Sequence, residues 1–294
     1  MCDEWYLDEQ RWEFMQRLVL WHNLPIVVCF AFYTMCDSLP QWFGRFKTQQ
    51  ETSNIAALGI SPAARLTFGE ASIEKHGRSF FHAVAHMAVN HALVIPLLWF
   101  TVGYNVSMMH NPNSMAQPWG QGGALWVVAR LLGYIAFEDT LFYWAHRALH
   151  YPPLYRRIHK RHHEFNVPFS LAAEYAHPVE TVLGNFIPFL AGPIVIGAGL
   201  NELCLWFVVR MVKTAEAHSG YAFPLAPFSV CPSWMVTAEQ HDYHHSQNMG
   251  MYGSFFLFWD RVGRSDGPFK RHKLRQEAAH PAATDRSGPP RRFA

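Results

Sequence analysis

The sequence predicts an all-α, polytopic membrane bundle of about four spanning helices. A helical cap on the cytosolic side carries a histidine-rich metal site. Three observations lead there. Half of the 294 residues are hydrophobic and 16% are charged, against about 25% charged in an ordinary soluble domain. The apolar residues gather in blocks of spanning length, separated by polar, histidine-rich stretches. Histidine recurs in three tight clusters: His146 and His150; His159, His162 and His163; His241, His244 and His245. The net charge of +2, with no dense stripe of Lys and Arg, argues against a nucleic-acid binder. The five cysteines are scattered and form no CxxC pair, so neither a disulfide framework nor a thiolate zinc site is indicated. The acidic start (Asp3, Glu4, Asp8, Glu9) has no basic n-region, and a cleaved signal peptide is not expected.

Residues 1–17 read as a polar lead-in. Leu18 to Cys36 is apolar enough to span but is broken by His22, Asn23 and Pro25, so an interfacial or re-entrant helix is the alternative. Phe80 to Tyr104 is a second span. Ala124 to Trp144 is a third, and it runs directly into the first histidine cluster. Val182 to Val212 is too long for one span and is interrupted by Pro188, Gly192, Pro193 and Gly197 to Gly199, which predicts two helices in a hairpin. Lys and Arg concentrate in 37–79, in 145–181 and beyond Arg261, and are absent from 105–123. The positive-inside rule therefore places the histidine clusters in the cytosol and 105–123 in the lumen. A single span at 182–212 would put His163 and His241 on opposite faces, so a shared site requires the hairpin. The domains read as membrane helices and their connections over 1–123, a catalytic domain over 124–268, and a disordered basic tail over 269–294.

Helical residues four apart share a face, so His146 and His150 converge, as do His159 and His163. Adjacent residues diverge by about 100°. The doublets His162–His163 and His244–His245 therefore suit two metals better than one. A His-rich basic surface loop is the alternative for His159 to His163, with Lys160 and Arg161 inside it. His82 and His86 share the HxxxH spacing but have no doublet beside them. With His91 they read as packed or substrate-facing intramembrane histidines. Imidazole suits Zn, Cu, Fe and Ni. A hydrolytic zinc site needs about three ligands, so eight histidines favour two redox-active iron ions. Glu138, Asp139, Tyr143, His146 and His150 lie on one helix, and Asp139 is a candidate to hold a ligating imidazole from behind. Glu174 and Glu180 are further candidates.

These stretches resemble the fatty acid hydroxylase/sterol desaturase superfamily of membrane di-iron enzymes, and most of all its C4-methylsterol monooxygenases. The residues that carry the resemblance run from Glu138 through His150, from Tyr155 through His163, and from Pro168 through Glu180 (with Ala173-Glu174-Tyr175-Ala176-His177-Pro178-Val179-Glu180). They continue with His218-Ser219-Gly220-Tyr221 and with His241 through His245 to Trp259-Asp260. The similarity covers roughly residues 130–265. It implies His218 as a further ligand beside His146, His150, His159, His162, His163, His241, His244 and His245, with His177 as a lesser candidate. Asn248 is a candidate to anchor a metal-bound water. Ala222 stands where the family usually has an acidic residue after the His-Ser-Gly-Tyr stretch. The implied chemistry is O2-dependent oxidation of the C4-methyl group of 4,4-dimethyl- and 4-methylsterols in sterol biosynthesis, in the endoplasmic reticulum membrane. No flavin, nicotinamide or cytochrome b5 haem motif appears in the chain. Electrons from NAD(P)H are therefore expected through a separate cytochrome b5 and its reductase; Arg156, Arg157, Lys160 and Arg161 suit either steering of such an acidic donor or contact with anionic lipid headgroups. Other sterol-demethylation enzymes are possible partners. The alternatives are a sterol C5-desaturase or a fatty-acyl/sphingolipid hydroxylase of the same superfamily. From another class comes a non-catalytic metal- or sterol-binding membrane protein.

Overall fold

The structure is a computed structural model that describes residues 2–49, 85–118, 120, 122–230 and 233–279. Among them the chain is almost wholly helical. The β pairing consists of the isolated bridges Lys47 with Tyr221 and Met235 with Phe256. Three helices are long and apolar enough to cross a membrane by length and composition: within α1 (Cys2–Ser38), the stretch Glu9–Ser38; α2 (Ala85–His110); and α4 (Pro178–Ile196). The third expected span forms the helix α3 (Ala124–Leu149), which is not among those three. It carries Arg130, Glu138 and Asp139 along its length. His82 and the start of the second expected span lie outside the described residues.

Helix α1 begins at Cys2, not near Leu18, and continues through Pro25. Its charged first half is helical because Phe14, Met15 and Leu18 bury one stripe. That stripe packs along α5 (Leu200–Ala217) and against α2, where Phe14 meets the rings of Trp99 and Tyr104. The chain turns between α4 and α5 over Gly197 to Gly199. Gly197 has a φ of 77° and ends α4, with the Ala198 N–H returning to the Pro193 carbonyl at 2.8 Å. Helices α3 and α4 approach closely: a Cβ on Gly192 would lie 2.6 Å from Tyr134 Cα.

Two buried ion pairs fix the register of α3 on α5. Arg130 Nε donates to Glu202 at 3.0 Å, and Arg210 Nε donates to Glu138 at 2.8 Å. Both pairs are 72 residues apart with the signs exchanged, so the helices run parallel and a slip would set like charges together. Parallel packing carries the C-terminus of α5, with His218, to the end of the bundle where α3 delivers His146. The opposite end collects the 111–117 loop, where Asn111 donates to the Gly197 carbonyl at 3.1 Å. Residues 269–279, expected within a disordered tail, lie in the helix Gly267–Ala279. Phe269 and His272 pack on the Tyr243 ring, and Lys273 pairs with Glu239, which supplies the order that composition alone does not show.

Candidate metal centre

His146 sits at the C-terminal end of α3, and His150 follows one turn later. His159, His162 and His163 come from a short 3-10 turn (His159–Glu164). His218 caps α5. His241, His244 and His245 lie on α6 (Ala238–Gln247), which opens with a capping box: Gln240 N–H donates to Thr237 Oγ1 at 3.4 Å and Thr237 N–H to Gln240 Oε1 at 2.8 Å.

The nine imidazoles sort into two groups. His146, His150, His159, His163 and His244 bring one ring nitrogen each to within 4.8 Å of the others, as do His162, His218, His241 and His245. Each doublet is split: His162 and His163 go to different groups, and so do His244 and His245. Adjacent side chains diverge around a helical turn, and a doublet therefore serves two neighbouring points.

The hydrogen bonds behind the rings decide which nitrogen faces inward. His146 Nδ1–H donates to the Tyr252 carbonyl at 3.0 Å, and His244 Nδ1–H to the Gly250 carbonyl at 2.7 Å. His159 Nδ1–H donates to Glu180 Oε1 at 2.8 Å, and His218 Nδ1–H to the Thr214 carbonyl at 2.9 Å. Each bond fixes the Nδ1–H tautomer and turns a bare Nε2 lone pair inward. Those lone pairs then face other Nε2 atoms: His159 with His150 at 3.0 Å and with His163 at 3.1 Å, and His218 with His241 at 3.0 Å and with His162 at 3.3 Å. Facing lone pairs repel unless a cation lies between them. Separations near 3 Å also suit ligands sharing one ion at bond lengths of roughly 2.0–2.1 Å. The buried Nε2 of His146 and both ring nitrogens of His245 have no hydrogen-bond partner, nor have the Nδ1 atoms of His162 and His163. The donor set thus fits metal, and its chemistry is that of an all-nitrogen site.

Burial keeps these rings neutral. His162 is pushed down to about 4 by burial, and His218 to about 3 by burial and by His162. His150 falls to about 2 through burial and the neighbouring His146 and His162. His163, His241, His244 and His245 lie well below the usual histidine range, each first through burial and then through adjoining rings. A neutral imidazole is the form that binds metal.

The other expected residues scatter. Glu180 stands behind His159. Asp139 Oδ1 instead accepts the backbone N–H groups of Ser254, Phe255 and Phe256 at 3.1, 2.7 and 3.2 Å, clamping the turn that follows Tyr252. Asn248 ends α6 with a φ of 55°, and its Oδ1 accepts from Tyr155 Oη at 2.9 Å. His177 stands outside both groups, with Nδ1 accepting the Val179 N–H at 3.2 Å. Glu174 joins His22 and His91, not the clustered rings. His86 donates to or accepts nothing from the clusters; its Nε2–H reaches the Ala176 carbonyl at 2.9 Å.

Asp260 was not foreseen as part of the site, although its Trp-Asp setting closes the motif region. Its two carboxylate oxygens accept the N–H groups of Tyr252 and Gly253 at 2.9 and 2.8 Å, holding the carbonyl that His146 uses. A cavity opens beside the rings, lined by Phe142, His146, His162, Asn185, Arg210 and His218 among others. It shares Ala173, Asn185, Arg210 and Thr214 with a second, more apolar cavity inside the bundle.

The comparisons with known proteins fall on this same region. The fatty acid hydroxylase family model matches residues 131–265. A very-long-chain aldehyde decarbonylase of Oryza sativa subsp. indica is 42% identical over 154 residues, covering 51% of this chain and 57% of that protein. Methylsterol monooxygenase 1 of Danio rerio is 40% identical over 154 residues, 52% of each chain. Methylsterol monooxygenase 2-1 of Arabidopsis thaliana is 38% identical over 165 residues, 51% of this chain and 60% of that protein. The matches thus span about half the length of these curated relatives. No solved structure matches. The nine converging histidines all lie inside residues 131–265, the stretch that matches the fatty acid hydroxylase family model.

Proposed function

We propose that this protein is a membrane-bound, O2-dependent oxidoreductase acting on the C4-methyl group of 4,4-dimethyl- and 4-methylsterols. The observation that carries the reading is the pair of buried imidazole groups whose inward nitrogens are bare and whose doublets are split between them. His146, His150, His159, His163 and His244 would hold one iron ion, and His162, His218, His241 and His245 a second. Bound there, the ions supply redox chemistry strong enough to oxidise an unactivated C–H bond with O2. The net reaction of one round converts a methyl group, O2, two electrons and two protons into an alcohol and water. Further rounds carry the alcohol through aldehyde to carboxylate.

The chain's own residues orient and enclose. Glu180 and the carbonyls of Gly250, Tyr252 and Thr214 keep the ligating rings in one tautomer. Asp139 and Asp260 hold the 252–256 turn. The two neighbouring cavities, which share lining residues, would place an apolar substrate held among Trp99, Phe189 and Phe207 close to the rings. Electrons would arrive from cytochrome b5 and its NAD(P)H-dependent reductase at the basic 156–161 segment, with the endoplasmic reticulum as the membrane and the site facing the cytosol.

A second reading has a specific observation behind it. The aldehyde decarbonylase from rice matches as large a share of the chain as the methylsterol enzymes do, which supports a long-chain aldehyde as the competing substrate. Purified full-length protein should be supplied with O2, NAD(P)H, cytochrome b5 and its reductase. A C4-hydroxymethyl or carboxylate product from a 4,4-dimethylsterol supports the sterol reading. Alkane from a long-chain aldehyde, with the sterol untouched, would replace it by the second.

A further inference from the structure

Inside the bundle lies a third convergence, apart from the nine clustered rings. His22 on α1, His91 on α2 and Glu174, from the short turn Ser170–Glu174, bring two imidazole nitrogens and one carboxylate oxygen to within 4.8 Å of one another. Glu174 Oε2 is 3.4 Å from His22 Nε2 and 3.4 Å from His91 Nε2. His22 is only 8% exposed.

The proton positions can be worked out. Asn23 Nδ2 donates to the Val19 carbonyl at 2.8 Å, which assigns the amide and leaves Oδ1 facing His91 Nδ1 at 2.5 Å. An amide oxygen only accepts, so His91 Nδ1 carries the proton. A neutral His91 then turns a bare Nε2 lone pair toward an oxygen that is itself an acceptor. His22 faces the same oxygen, while its Nδ1 is buried without a partner.

Ordinary hydrogen bonding accounts poorly for this. A charge-assisted N–H···O bond runs about 2.7–2.9 Å, and both contacts here are longer. Protonating both rings around one carboxylate would leave an excess cation in an apolar bundle, a costly arrangement; protonating His91 alone balances the charge but leaves both contacts at 3.4 Å, longer than such a bond. A metal ion between the three side chains accepts the lone pairs of His22 Nε2, His91 Nε2 and Glu174 Oε2 together. The edge of a tetrahedron with bonds of roughly 2.1 Å is about 3.4 Å, the separation both contacts show.

We propose that His22, His91 and Glu174 form a third metal site, for one divalent transition-metal ion. Two imidazoles and one carboxylate suit zinc or ferrous iron and not calcium or magnesium, which prefer all-oxygen shells. His22 and Glu174 line the second, more apolar cavity. The open position of a three-ligand ion is therefore available to an oxygen of whatever occupies that cavity. The ion also ties together α1, α2 and the 170–174 turn, three segments distant in sequence. Two of its ligands lie outside residues 131–265, so the site is not contained in the matched family domain. It goes beyond the sterol reading and does not depend on it: metal binding, not turnover, is what the test reads.

The full-length protein in detergent would be stripped of metal and loaded with Co2+ alone. In the variant His91→Cys, a ligating thiolate gives a sulfur-to-cobalt charge-transfer absorption in the near ultraviolet. We expect that band at one equivalent per chain, with total cobalt as in the wild type. Wild-type cobalt content without the band would overturn the site. The pair His22→Gln and Glu174→Gln together should lose one metal equivalent and keep those of the nine-histidine groups; unchanged content would also refute it. Should these variants fail to fold, anomalous scattering from the wild-type protein decides alone. A metal peak between the three side chains is expected. None there, with the nine-histidine groups occupied, rejects the proposal.

Discussion

His146, His159 and His244, from the five-imidazole group, are each tied from behind, to the Tyr252 carbonyl, to Glu180 and to the Gly250 carbonyl. In the four-imidazole group, His218 is tied to the Thr214 carbonyl one helical turn back, while His162 Nδ1 and both nitrogens of His245 lack a partner. The first group thus depends on a tertiary feature, the 250–256 turn that Asp139 and Asp260 clamp. The second depends mainly on where α5 ends and how α6 is set. The doublets His162–His163 and His244–His245 each give one ring to either group, so the two groups are neighbours. The lesson is that two similar ligand sets can be preorganised by different means, and different mutations should find each weakness.

The largest effect is expected where a donor cannot be spared. His245→Ala leaves three imidazoles in its group, and metal analysis should show that group's ion lost together with all detectable turnover. His150→Ala leaves four donors in the other group, and the same measurements should show weaker but retained metal. Equal losses would erase the distinction between the groups.

Glu180→Gln replaces the carboxyl group that stands behind His159. Loss of such a partner weakens metal binding by roughly 10–100-fold. A chelator titration should find that loss in the five-imidazole group and little change in the other. Asp139→Ala leaves three backbone N–H groups of the 254–256 turn without their acceptor. A cost of about 3 kcal/mol follows from orphaning buried donors of a charged acceptor, read as a lower unfolding midpoint.

The pH response has a definite sign. Folded His162 titrates at about 4 and His218 at about 3, whereas an unfolded histidine titrates near 6.5. Below about 6.5 the unfolded chain binds more protons, so stability falls with pH and continues falling toward those folded values. Thermal unfolding of metal-free protein between pH 7.5 and pH 5.5 should show a decreasing midpoint. A flat profile would mean that the groups open to solvent without metal. The smallest effect is expected from His177→Ala. This ring stands outside both groups, and turnover and metal content should change by less than about 2-fold, as for surface substitutions away from a site.

Much of the metal centre was legible because imidazole spacing reports helical geometry directly. The divergence of adjacent residues assigned His162 and His163 to different points before any contact was known. Glu174 was less legible: it was a plausible support for the clustered rings, but tertiary packing delivered it to His22 and His91. His22 had registered only as a polar interruption in an apolar helix. Asp260 and the carbonyls of Gly250 and Tyr252 left little trace, since a backbone carbonyl has no residue-specific signature and a lone Asp has many uses.

The sequence by itself determined the helical character, the apolar blocks and the eight clustered imidazoles available as ligands, because periodicity and composition are local properties of the chain; His218, isolated in sequence, came from the family resemblance alone. Only the tertiary structure decided which rings share a group. It also decided which nitrogen each ring turns inward, and that α3 and α5 run parallel through the exchanged pairs Arg130–Glu202 and Glu138–Arg210. Those outcomes rest on contacts between residues tens to more than a hundred positions apart, whose geometry no local pattern encodes.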